Sequence, residues 1–86
     1  MQRLAKAVVD AFAFLELSGD SEIDPDTAVK AMEMLTYDLR KCSPEERAAL
    51  AQAAGAEYKA QKAAGASRRT LKFYKDFTKD LFDEEG

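Results

Sequence analysis

The chain has 86 residues, 13 basic and 16 acidic side chains for a net charge of −3, one cysteine, no histidine and no tryptophan. So short a chain buries only about 60–65% of the surface its unfolded form exposes, and sixteen of its hydrophobic residues are alanine, which favours helix but adds little buried area. An internal disulfide, a Cys/His zinc site and any triad needing histidine are excluded, and the near-balanced charge names no partner by itself.

The first predicted helix covers about residues 2–18. Arg3 and Lys6 before an apolar stretch resemble the start of a signal peptide, but Asp10 and Glu16 fall where the apolar run and cleavage region should be. No stretch approaches the roughly 18 apolar residues of a membrane span. With a single cysteine, a cytoplasmic location is expected. On the helical wheel Leu4, Val8, Ala11, Phe12 and Leu15 share one stripe, Phe14 lies at its edge, and Val9 and Leu17 fall outside it.

The second helix is predicted over about 25–41, because Asp24-Pro25 puts a capping residue before a proline suited to the first helical position. Ala28, Met32, Leu35 and Leu39 form its core stripe, with Val29 and Thr36 beside them. Met34 and Tyr37 lie roughly opposite, among Lys30, Asp38 and Lys41. The third helix, about 44–64, starts at Ser43-Pro44, where Glu46 completes a capping box. It carries only Leu50 and Tyr58 as large apolar residues from Ala48 to Ala64. Gly55, about 1 kcal/mol worse than alanine in mid-helix, leaves its continuity open. The fourth, about 68–82 after a start at Ser67, sets Phe73, Tyr74, Phe77 and Leu81 against Arg68, Lys72, Lys75 and Lys79. Residues 83–86 read as an acidic end. The expected fold is all-α: a single domain over residues 1–86, a small bundle of three to four helices with short connections.

The segment Asp20–Asp26 has acids at alternate positions. A calcium loop starting at Asp20 needs Gly at its sixth position and Glu at its twelfth; Pro25 and Ala31 stand there, so no metal is expected. Asp24 reads as a cap, and Asp20, Glu22 and Asp26 as candidate acidic contacts for a cationic partner. Met34 and Tyr37 are candidate apolar contacts, since both residue types are enriched at interface centres. The basic residues of the fourth helix lie opposite its aromatics, as in a core-docked surface helix, so nucleic acid is not the expected ligand. Cys42 precedes a helix start, where thiol pKa values can fall, but no histidine is present to serve as its base. Neither a cofactor nor an enzymatic activity is expected.

The stretches Phe14-Leu15-Glu16-Leu17-Ser18, Ile23-Asp24-Pro25-Asp26 with Ala28-Val29-Lys30, and Ser43-Pro44-Glu45-Glu46-Arg47 resemble small bacterial proteins. In size, acidity and helical character the chain is similar to the immunity proteins that neutralise interbacterial toxins. The resemblance spans roughly residues 12–50 and carries over no functional residue. It implies a non-enzymatic protein that covers a toxin's active site. Three functions are therefore weighed, in order: a cytoplasmic immunity or inhibitor protein, a small regulatory or structural protein forming a weak homodimer through its Ala-rich third helix, and a nucleic-acid module using the basic fourth helix.

Overall fold

The computed structural model of the protein describes residues 2–19 and 21–82. They form four helices, α1 Gln2–Leu17, α2 Pro25–Leu39, α3 Pro44–Ala63 and α4 Arg68–Phe82, and contain no strand. The fold is a small all-α bundle.

Local chemistry accounts for most of the boundaries. The Asp24 carboxylate accepts from the Thr27 backbone N–H at 3.0 Å and from the Thr27 hydroxyl at 3.1 Å, with Pro25 opening α2. Ser43 and Glu46 form the reciprocal capping box of α3. The Glu46 N–H donates to the Ser43 hydroxyl at 3.2 Å and the Ser43 N–H to the Glu46 carboxylate at 2.8 Å. At the far end of α3 Gly65 adopts φ 80°, while Ala66 N–H reaches Gln61 O and Gly65 N–H reaches Lys62 O. This is a Schellman ending, in which glycine carries the left-handed residue at no steric cost. Ser67 caps α4 through the Thr70 N–H at 3.2 Å. The predicted ends at 18, 41 and 64 lie one or two residues beyond the observed ones. After Leu39, for instance, Lys41 and Cys42 turn back to Asp38 and Leu39 in tighter three-residue bonds. Helix α3 runs unbroken through Gly55.

The core is built by three of the four helices. Ala5, Val9 and Phe12 of α1, Leu50 and Ala54 of α3, and Tyr74, Phe77 and Leu81 of α4 form one buried cluster. Phe12 and Phe77 meet edge to face with ring centroids 5.4 Å apart, and Phe73 joins Phe77 in the same way at 5.7 Å. Helix α3 packs on both α1 and α4, whereas α2 rests mainly on α1. The α2 stripe of Met32, Leu35 and Leu39 is only partly buried against the cluster, and Ala28 is the one fully buried α2 residue.

Helix α1 differs from its predicted wheel. Val9, expected outside the core stripe, has 0% exposure, whereas Leu4, expected inside it, is 74% exposed and Ala11 is exposed as well. The wheel weights large apolar side chains. An alanine-rich neighbour such as α3 instead admits close approach by small ones, and Ala5 and Val9 are the small apolar pair on that side.

Candidate protein interface

Helix α2 is the element least committed to the core, and it carries three of the five large apolar side chains that stand exposed among the described residues. Val29 is about half exposed, Tyr37 66% and Met34 72%; the other two, Leu4 and Phe14, belong to α1. The Lys41 ammonium lies over the Tyr37 ring, 4.3 Å from its centroid, and so keeps that ring on the surface with its face covered by a cation.

Three shallow hollows, treated together as a furrow, lie along α2. Near the start of the helix it is lined by Leu15, Ile23, Pro25, Ala28 and Arg69. In the middle Phe12, Phe73, Phe77 and Leu81 line it together with Met32 and Thr36, and Glu16 and Asp80 are its charged members; this part has a volume of about 210 Å³. Towards the end of α2 the furrow opens past Glu33, Tyr37, Arg40 and Lys41. Met32 lines all three hollows.

The three basic residues along the furrow, which balance its three acids, each contact a neutral group of the chain and keep their charge. The Arg69 guanidinium donates to Glu16 O at 2.8 Å, Arg40 Nε to Leu81 O at 3.5 Å, and Lys41 sits on Tyr37. The carboxylates of Glu16, Glu33 and Asp80, by contrast, have neither an ion pair nor a hydrogen bond among the described residues.

Of the residues singled out from the sequence, Tyr37 lies in the furrow. Met34 is exposed on α2 but does not line the furrow. Glu22 sits exposed in the connection and Asp26 exposed in the first turn of α2, away from Met34 along the chain, while Asp20 lies outside the described residues. The five therefore do not form one patch. Sequence reading did not select Glu16, Glu33, Asp80, Phe12 or Phe73 as a set, because their proximity is created only by the docking of three helices. The one available signal was Glu16 on α1, one residue after the predicted apolar stripe ends.

Elsewhere two lysines are held in ion pairs. Lys72 pairs with Asp76 at 2.9 Å, and Lys6 with Asp10 at 2.7 Å and more distantly with Glu57 at 3.6 Å. The hydrogen bond and charge of each carboxylate raise the pKa of its lysine, and the bond from Lys72 lowers that of Asp76. Burial pushes the Cys42 thiol up, with Glu46 adding to the shift, which is the opposite of an activated nucleophile. Among the described residues no group of three or more Cys, Asp or Glu side chains is arranged to hold a metal ion, and no helix is long and apolar enough to cross a membrane. No protein-family model, curated protein or solved structure shows a significant match to the chain.

Proposed function

We propose that the chain is a non-catalytic protein-binding module, a cytoplasmic bacterial immunity or inhibitor protein that occludes a toxin or effector by surface contact. The observation that supports this reading is that Val29, Met34 and Tyr37 stay exposed on α2, a helix that contributes little to the core. In a protein with so thin a core, leaving three such side chains in water is better explained by a partner than by folding. The mechanism is steric and electrostatic. Tyr37 and Met34 supply desolvated contact, and the acids of the α1–α2 connection, with Asp26, steer a basic surface inwards.

The test is a photocrosslinking side chain at position 34 or 37, expressed in the source organism. One dominant adduct is expected. The purified adduct partner should lose its activity on adding the intact chain and keep it with a Met34→Asp, Tyr37→Asp variant. A partner indifferent to the chain would defeat the inhibitor reading, and the lack of any adduct would defeat binding through α2.

A second reading is self-association through α3. Gly55 favours it: a Cβ built there meets nothing within 4 Å, so neither packing nor backbone conformation within the chain requires glycine.

A further inference from the structure

We propose that the outer face of α4 is a surface for the phosphate backbone of duplex nucleic acid, contacted through Arg68, Lys72, Lys75 and Lys79 without regard to base sequence. The proposal goes beyond the protein-binding reading and uses other side chains than Val29, Met34 and Tyr37.

The net charge of −3 conceals a separation. Between residues 58 and 82 the chain has seven basic and two acidic side chains, and everywhere else six basic and fourteen acidic. Within α4 the separation becomes a ridge. Arg68, Lys72, Lys75 and Lys79 follow one another at three or four residues, so they fall within about 60° of arc on the helix, opposite the buried Tyr74, Phe77 and Leu81. All four are exposed. The ridge is about 16 Å long and so faces several phosphates of a strand that carries one every ~3.4 Å. The acids beside it are Asp80 and Asp76, which accepts from Lys72 at 2.9 Å. That hydrogen bond, aided by the charges of Lys79 and Lys75, holds the Asp76 carboxyl below its ordinary value. Four cations against two carboxylates leave the outer face of α4 positive, on the part of the chain where positive charge is in excess.

The makeup of the ridge selects the partner. The exposed large apolar side chains among the described residues, Leu4, Phe14, Val29, Met34 and Tyr37, all belong to α1 or α2 and none to α4. A protein interface is built around a desolvated apolar centre and is poor in lysine, whereas a nucleic-acid backbone is held by charge, with release of its counterions. The rings of α4 are buried or half-buried, so none is offered to stack on an unpaired base. Contact is therefore with the phosphates of a duplex, which position a protein but carry no sequence information. The same burial keeps the apolar face of α4 from entering an anionic membrane surface.

The experiment uses the intact protein and two fluorescent DNA duplexes of unrelated sequence, each about 20 base pairs or roughly two turns. Anisotropy at low salt should show both duplexes bound equally. The logarithm of the binding constant should fall against that of the salt concentration with a slope of about −3.6, for four phosphate contacts at ~0.9 each. Lys72→Gln, Lys75→Gln, Lys79→Gln should weaken binding at least about tenfold at low salt and bring the slope to about −0.9; Arg68→Gln alone should take about 0.9 off it. A melting temperature like that of the wild type keeps these losses from being effects of folding. Met34→Ser with Tyr37→Ser, on α2, should bind the duplexes like the wild type, so the protein-binding reading and this one can fail separately. No binding of either duplex, a marked preference for one of them, or a triple variant that binds like the wild type overturns the proposal. Tighter binding to vesicles of anionic phospholipid than to the duplexes also overturns it, making the ridge a membrane contact. So does a salt-sensitive self-association that the triple variant loses, which would give the ridge to the acidic side of a second copy.

Discussion

The guanidinium of Arg47 lies over the ring of Phe82, 4.6 Å from its centroid, and ties the first turn of α3 to the last turn of α4. One terminal nitrogen donates to Arg40 O at 3.3 Å, while Nε is buried without a partner. The side chain thus works through its plane and its stem, and one of its donors is left unsatisfied. Arg47→Ala should cost about 1–2 kcal/mol through the lost ring contact and packing. Arg47→Met, which keeps the stem and removes the orphaned donor, should cost less. Denaturant melts of the two variants check the order.

The aromatic face of α4 should dominate stability. Phe77 is buried between Phe12 and Phe73, so Phe77→Ala should cost about 3–5 kcal/mol, the range for a buried phenylalanine. Replacing Lys72, Lys75 and Lys79 together by Gln should leave the melting temperature nearly unchanged, since all three are exposed. A Phe77 variant that melts like the wild type would contradict the packing described here.

The acids near the start of α2 should separate into structural and steering groups. Asp24→Ala removes acceptors for both the N–H and the hydroxyl of Thr27, and should cost about 1 kcal/mol. Glu22→Gln should leave stability intact and slow partner association at low salt, as expected for an exposed charge. Stopped-flow association rates across a salt series give the answer.

Gly55 offers a separate test on α3. Gly55→Ala should stabilise the monomer by about 0.5–1 kcal/mol, because the new methyl group meets open space and the helix gains a better former. Sedimentation at high concentration then addresses self-association: a weak dimer dispersed by Ala56→Lys supports the second reading, and a strictly monomeric protein removes it.

Stability should fall at alkaline pH. Burial, aided by Glu57 and Asp10, raises the Tyr74 hydroxyl above its ordinary 10.0, and burial likewise raises the Cys42 thiol above 9.0. Each group holds its proton more tightly folded than unfolded. The contribution is therefore intact below the ordinary value and is lost as pH rises through the folded one. Tyr74→Phe, which keeps the ring in the core, should flatten the loss above about pH 10, and Cys42→Ser the part that begins near pH 9. Melting temperatures across pH 8 to 11 measure both (roughly the span between ordinary thiol and phenol values).

How far the sequence can be read here depends on the range of the signal. Helix starts at Asp24, Ser43 and Ser67 are local events of three or four residues and are legible directly. So is the α4 face, where aromatic and basic residues alternate with a clean helical period. Helix α1 resists reading because it is apolar on several sides, so which face turns inward is decided by the alanine-lined neighbour it meets; Val9 and Leu4 exchange roles for that reason. The furrow is less legible still. Phe12 and Glu16, Met32 and Thr36, and Phe73 and Asp80 come from three helices, and nothing in their separate neighbourhoods says that they share a wall.

The light attachment of α2 has a consequence for motion. With the buried cluster supplied by α1, α3 and α4, and α2 resting chiefly on α1, that helix can lift away without dismantling the aromatic centre. Its amides should then exchange with solvent through a partial opening, at a lower free energy than the global unfolding that releases those around Val9 and Phe77. Exchange protection along residues 28–39 should accordingly be weaker than along the helices that supply the buried cluster.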